Sequence, residues 1–192
     1  MALTSLDDPR WAADNRDLMS TIAPNPLPGP RGWVEMQIKG LLLDPSNEAP
    51  VLILRSVGGN LLLPIWIGLP EANAIAMALE SVETPRPMTH DLLQNCIVAL
   101  GATLEKVEIW DLREGTFYAR LRLRRGGQEI EVDARPSDAI ALAVRSGALL
   151  CVARSVLEEA LAAELASETA AEESVRAWLE RVQPEDLGKY KM

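Results

Sequence analysis

The first half of the chain alternates apolar and polar residues in short runs. WVEMQIKGLLLD, beginning at Trp33, has the two-residue period of a strand, and VLILRSV and LLLPIWIG flank Gly58, Gly59 and Asn60. Residues of these types accept positive φ, so the pattern predicts a β-hairpin. Pro64 cannot donate a backbone hydrogen bond, which predicts that its strand lies at an edge or a bulge.

The second half repeats this pattern. TLEKVEIWDL, TFYARLRLR and QEIEVDA read as three strands, the last two joined by Gly126 and Gly127. Arg120, Arg122 and Arg124 alternate along the middle strand, so all three project from one face. They could follow a phosphate backbone, but pairing with glutamates of the next strand is the favoured interpretation.

Three apolar runs have the spacing and punctuation of helices. PEANAIAMALESV and PSDAIALAVRSG begin with proline, and THDLLQNCIVALGA begins with Thr89 as the candidate N-cap. ALLCVA is predicted to be a short buried strand, and the stretch from Ser155 to Val182 one or two amphipathic helices.

The two halves resemble each other. Residues 33–83 and 103–147 share the order strand, strand, strand, helix, and AIAMALES at Ala74 matches AIALAVRS at Ala139 at most positions. We interpret this as an internal duplication. The predicted fold is α+β: a mostly antiparallel sheet from two duplicated βββα units, with helices packed on it and further helices at the C-terminus.

Three regions are predicted. Residues 1–32 form a mobile proline-rich extension, residues 33–157 the folded domain, and residues 158–192 an acidic helical tail with nine Asp and Glu against four Lys and Arg. No run is apolar enough for a membrane helix or a secretion signal, so we expect a soluble, cytoplasmic protein.

Cys96 and Cys151 lie in apolar runs and are expected to be buried, reduced thiols. One histidine and two scattered cysteines argue against a structural zinc site.

The candidate chemistry lies where the helices begin. Glu71, Asp91 and Asp138 fall in first turns, where an acid stabilises the helix dipole, so capping is their simplest role. Arg86 and Arg135 each precede a proline at a helix start and could bind phosphate or carboxylate, although an ion pair with a nearby aspartate is the favoured interpretation for each arginine taken alone.

Proton transfer and metal binding are the other candidate roles. His90, the one histidine, could move a proton or satisfy a loop hydrogen bond. Asp133 ends a strand just before Arg135. If the acids converge in space, then Glu71, Asp133 and Asp138, together with Asp91, could hold Mg²⁺ or Mn²⁺.

Four segments resemble the bifunctional nuclease (BFN) domain family: LPIWIGLPEANAIAMALE, PRPMTHDLL, DLREGTFYARL and DARPSDAIALAVR. The resemblance runs from Trp33 to Leu157, with the motifs in the family's order. Met88 stands where the family pattern has leucine, an apolar exchange that should leave the loop intact. The resemblance implies a nuclease acting on both DNA and RNA.

The leading hypothesis is therefore a divalent-metal-assisted phosphodiesterase that acts on nucleic acid and assembles as a homo-oligomer. Its catalytic candidates are His90, Asp91, Asp133 and Asp138, its phosphate-binding candidates Arg86 and Arg135, and its metal-binding candidates Glu71, Asp133 and Asp138. The alternative is a non-enzymatic regulatory or binding domain, in which the Arg-Pro loops bind an anionic ligand or form a subunit interface.

Overall fold

The computed structural model describes residues 4–5, 32–43, 49–59 and 61–162. Eight strands and three helices are bounded there, and residues 154–162 are also helical. The strands are β1 (Thr4–Ser5), β2 (Trp33–Leu43), β3 (Pro50–Ser56), β4 (Leu62–Trp66), β5 (Ala102–Arg113), β6 (Thr116–Arg125), β7 (Gln128–Ala134) and β8 (Leu149–Ala153); the helices are α1 (Leu69–Leu79), α2 (Thr89–Ala99) and α3 (Pro136–Ser146).

The strands form one sheet in the order β4-β3-β2-β8-β5-β6-β7, with β1 beside the end of β2. All neighbours are antiparallel except the pairs β5–β8 and β1–β2. The predicted α+β fold with a mostly antiparallel sheet is confirmed. Each half contributes three antiparallel strands followed by a helix, and β8 lies between the halves. A common origin of the two halves stays a prediction.

The glycine turns of the two hairpins and the edge strand that contains Pro64 lie where the sequence predicts them. Gly58 has φ of 70° in the β3–β4 hairpin, and Gly126 and Gly127 have φ of 55° and 83° in the β6–β7 hairpin. Glycine adopts positive φ readily because it has no Cβ that would clash with the backbone. β4, which contains Pro64, is an edge strand of the sheet, as predicted.

One face of the sheet is apolar and the opposite face is charged. Ile109 on β5 pairs with Ala119 on β6, and both are fully buried. Leu104 of this face lines a cavity together with Leu142 of α3, which places α3 on the apolar side. The opposite side, called the charged face below, carries Glu108 and the arginines of β6.

Two expectations about α2 are wrong. Cys96 is exposed, because the apolar run that contains it points away from the body of the protein; Cys151 is only partly buried. The N-cap of α2 is Met88, so Thr89 is already helical. No described helix is long and apolar enough to cross a membrane.

The terminal regions are described only in small part. Thr4–Ser5 form a strand against β2, while the other residues of the predicted extension, apart from Gly32, lie outside the described residues. The chain divides after Leu157. Of the predicted acidic tail, only residues 158–162 are described, and they are helical.

Candidate functional site

The three acidic residues at the helix starts occupy equivalent positions. Glu71, Asp91 and Asp138 are each the third residue of α1, α2 and α3. Because α3 packs against both other helices, the fold can bring side chains from all three starts into contact.

Arg135, the N-cap residue of α3, joins two of these acids. Its Nη1 lies 2.9 Å from Glu71 Oε1, and its Nε donates to Asp138 Oδ2 at 2.8 Å. The hydrogen bond to Asp138 is the main reason that the pKa of Arg135 is raised. Its side chain is still 66% exposed, so a ligand can reach the guanidinium from solvent.

His90 contacts the same aspartate from α2. Its Nε2 lies 3.1 Å from Asp138 Oδ1, although 48 residues separate the two in sequence. Burial alone would raise the pKa of Asp138, but hydrogen bonds from Arg135 and His90 outweigh it and the pKa is lowered. Asp138 is therefore a charged acceptor near neutral pH. Glu71, His90, Arg135 and Asp138 are called the helix-start cluster below.

Asp91 faces a different partner. Its Oδ1 accepts a 2.5 Å hydrogen bond from Nε of Arg145, and its Oδ2 accepts the backbone N–H of Met88 at 2.9 Å. These two bonds, Arg145 first, lower the pKa of Asp91. Asp91 thus caps α2 and pairs with α3, outside the helix-start cluster.

The sequence analysis missed Arg145. Its side chain is only 9% exposed, and besides Asp91 it donates to the backbone oxygens of Ala141 and, on α1, Ala74. The available signal was a cation inside an otherwise apolar helical run, at the position where the first half has Glu80.

Two predicted site residues lie apart from the cluster. Asp133 pairs with Arg120 in the β6–β7 ladder and therefore projects from the charged face, away from the helices. Arg86 lies exposed in the loop before α2, and no hydrogen bond or ion pair joins its side chain to another described residue. Its binding of phosphate stays a prediction.

The proposed metal ligands do not form a metal site as they are arranged. Arg135 occupies the space between Glu71 and Asp138 and already supplies a positive charge there. Asp133 belongs to the other face of the sheet. In the described part of the chain, no three Asp, Glu, His or Cys residues are grouped to hold a metal ion.

The charged face has an ion-pair network of its own. Glu108 is 2% exposed and lies within 2.7 to 3.1 Å of Arg120, Lys106 and Arg122. Arg122 also pairs with Glu131, and Arg124 with Glu129, as the sequence analysis favoured. Arg120, Arg122 and Arg124 of β6 are therefore neutralised by acids of β5 and β7.

The comparisons with known proteins agree with the motifs. Residues 52–164 match the sequence profile of the bifunctional nuclease domain, and this range includes the whole helix-start cluster. An uncharacterized protein of Mycobacterium tuberculosis is 48% identical over 126 residues, which cover 66% of this chain and 75% of that protein.

Two plant proteins are more distant. Bifunctional nuclease 1 of Oryza sativa subsp. indica is 29% identical over 107 residues, covering 54% of this chain and 32% of the rice protein. Bifunctional nuclease 2 of Oryza sativa subsp. japonica is 30% identical over 122 residues, covering 62% and 38%. The profile match spans more than half of the sequence, and on this basis the chain belongs to the bifunctional nuclease domain family.

Proposed function

We propose that this protein is a nuclease that hydrolyses phosphodiester bonds of DNA and RNA at the helix-start cluster. The observation that carries the proposal is the 3.1 Å contact of His90 Nε2 with Asp138 Oδ1, beside the exposed guanidinium of Arg135. The names of the two rice relatives, both bifunctional nucleases, support the choice of reaction.

His90 is the proposed general base. A charged Asp138 accepts the Nε2–H proton and so favours the tautomer whose Nδ1 has a free lone pair. Nδ1 has no hydrogen-bond partner among the described residues. In the proposed step Nδ1 takes a proton from water, the water oxygen bonds to phosphorus, and the bond from phosphorus to the leaving nucleoside oxygen breaks. Solvent supplies the proton to the leaving oxygen. Proton transfer of this kind contributes roughly 10²- to 10⁴-fold in rate.

Arg135 and Arg86 are the proposed phosphate-binding groups. Arg135 is exposed beside the first N–H groups of α3, where the helix dipole also favours an anion. Arg86 is exposed in the loop four residues before His90. A phosphate bound by Arg135 would lie near the imidazole of His90, because both side chains contact Asp138.

We derive no step from a metal ion, because the arrangement of Glu71, Arg135 and Asp138 leaves no set of metal ligands at the cluster. A dependence on Mg²⁺ or Mn²⁺ stays a prediction, and adding a chelator to the cleavage assay tests it directly.

The second candidate is a domain that binds an anionic ligand without catalysis. One observation favours it: both acids of the cluster are already held by Arg135, which is typical of a structural ion pair. The two candidates differ in the role of His90. The nuclease needs its imidazole for turnover, whereas an anion-binding domain needs only the guanidinium groups.

The deciding experiment measures cleavage of labelled single-stranded DNA and RNA by the purified chain, with and without chelator. We expect His90→Gln and Asp138→Asn to lower the rate at least tenfold while binding of the same oligonucleotides persists. Asp133→Asn makes the same chemical change on the charged face and should leave the rate unchanged. Binding without cleavage in the unmodified protein would favour the second candidate, and equal cleavage by all three variants would contradict catalysis at the helix-start cluster.

A further inference from the structure

Helix α2 has polar contacts on the side that faces the protein and an apolar stripe on the side that faces solvent. Three of its polar residues point inward: His90 contacts Asp138, Asp91 contacts Arg145, and Gln94 donates to the backbone oxygen of Arg145 at 3.2 Å, whereas Asn95 is exposed. None of its residues is buried. A helix that covers a folded body normally turns its apolar side inward and its polar side to water.

Four apolar residues of α2 and its C-cap residue Leu100 lie together on its outer side, whereas Ile97 and Val98 line a cavity with Leu104 and Leu142. At 100° per residue, Leu92, Leu93, Cys96, Ala99 and Leu100 fall within an arc of about 120° whose centre is Cys96. We call these five residues the outer stripe. All five are exposed, Leu92 and Leu100 by 57% and 64%. Thr89 is the one polar residue within this arc, and it lies at the start of the helix.

The outer stripe is large for a surface that water covers. With Met88, which is 50% exposed and adjoins it, the stripe offers apolar area on the order of 400 Å², within the roughly 300–600 Å² found for the largest patch of a monomer. Two such stripes facing each other would bury about 800 Å², so a polar rim has to supply the rest of the roughly 1,000 Å² that a biological interface needs.

We propose that α2 pairs with α2 of a second copy of this chain, antiparallel, about a twofold axis that passes next to Cys96. An isologous interface needs a surface that complements itself, with each residue facing its symmetry counterpart. The stripe meets this need, since Leu92 and Leu93 on one side of Cys96 would face Ala99 and Leu100 of the other copy.

The charge of α2 favours a second copy over other occupants. The helix from Thr89 to Ala99 contains no lysine or arginine, whereas a helix that lies on an anionic membrane carries such residues along its polar face. No charged side chain lies within the outer stripe, so a strongly charged partner would find no complement there.

Pairing through α2 also affects the helix-start cluster. No residue of the helix that carries His90 is buried: the single chain holds α2 through polar contacts to α3 and through Ile97 and Val98, which line a cavity with Leu104. An apolar cover from the second copy would fix α2 and thereby the position of His90 against Asp138. This consequence rests on the proposed function, but the pairing itself does not.

The first test is the mass of the full chain in solution, measured by light scattering or sedimentation. We expect twice the chain mass, and we expect Leu92→Glu to halve the measured mass because it buries a charge at the interface. Val57→Glu is the matched control: Val57 is 50% exposed in the β3–β4 turn, and its exchange should leave the dimer intact. Circular dichroism checks that both variants are folded.

The second test uses Cys96 as a reporter of the axis. Cysteines that face each other across a twofold axis can reach the Cα separation of about 4.4–6.8 Å that a disulfide needs, so mild oxidation should link two chains. Cys96→Ser should abolish the link, and Cys151→Ser should not.

A full chain that is monomeric, or a dimer that survives Leu92→Glu, would overturn the proposal. A dimer that links only through Cys151 would overturn the antiparallel pairing. Because these readouts do not involve cleavage, their failure is distinct from failure of the nuclease proposal.

Discussion

Glu71, Asp91 and Asp138 occupy the same helical position but have different roles. Asp91 accepts the N–H of its own N-cap residue, the function that its position predicts. Glu71 and Asp138 instead face Arg135, which lies between them. The same residue type at the same position therefore caps one helix and builds a site at the other two.

Gly68 controls where Glu71 can lie. Its φ of −73° and ψ of 157° are ordinary for any residue, but a methyl group at this position would overlap Oε2 of Glu71. We predict that Gly68→Ala pushes the carboxylate off Arg135 and lowers nucleic-acid cleavage several-fold with little change in thermal midpoint. Gly40→Ala is the matched control, as no atom lies within 4 Å of the added methyl group. If the two variants cleave equally well, the position of Glu71 does not matter for activity.

Which of the candidate residues meet depends on the packing of elements, which local sequence does not encode. His90 and Asp138 were both predicted site residues, but their contact across 48 positions follows from the crossing of α2 and α3. Asp133 lies only two residues before Arg135 and still faces the other way, because β7 ends at Ala134 and the chain turns there into α3, of which Arg135 is the N-cap. Nearness in sequence was a poor guide here.

At the scale of elements, Arg145 joins the three helices. It extends from α3 to Asp91 of α2 and to the backbone oxygen of Ala74 on α1. Truncating it would leave these acceptors without their donor, so the relative placement of the helices should loosen.

We predict that Arg145→Met lowers the free energy of unfolding by about 2–3 kcal/mol, since a largely buried charge-assisted pair is broken. The control is Arg124→Met, which breaks ion pairs of a side chain that is 42% exposed and should lower the free energy of unfolding much less, because solvent screens exposed ion pairs. Urea unfolding of both variants gives the comparison. Equal losses would mean that Arg145 contributes no more to the free energy of unfolding than a surface arginine does.

The elements themselves were well predicted, because periodicity and turn residues are local signals. Each predicted strand and helix of residues 33–153 is present, and Pro64 correctly marked an edge strand. The orientation of α2 was not predicted: CIVAL reads as a buried run, yet Cys96 is exposed. An apolar run that is exposed in a single chain cannot be told from a core run by its pattern alone.

For the whole molecule, stability in acid depends on carboxylates buried among cations. Glu108 is the most enclosed of these. Burial would raise its pKa, but hydrogen bonds from Lys106, Arg120 and Arg122 outweigh burial and lower the pKa. A lowered pKa in the folded state means that the charged form stabilises the fold above the ordinary glutamate pKa of about 4.3, and that this contribution disappears as the pH falls through the folded-state value.

We therefore predict that Glu108→Gln is less stable than the unmodified protein by about 3 kcal/mol at pH 7, because three cations lose their common acceptor. The difference should shrink steadily below pH 4. Urea unfolding over a pH series measures it, with Glu129→Gln, whose side chain is 65% exposed, as the control. A difference that stays constant or widens in acid would contradict the assigned direction of the pKa shift.

The central strand of the sheet, β8, is the last of the described strands along the chain. β8 pairs with both β2 and β5, and no described ladder joins those two strands to each other. During synthesis, each three-stranded half can therefore form before its bridge exists. Until Leu149–Ala153 leave the ribosome, β2 and β5 each present an open edge to any other nascent chain. A chain terminated before Leu149 would keep both edges open permanently. We therefore expect such fragments to aggregate, although they contain most of the strands of the sheet.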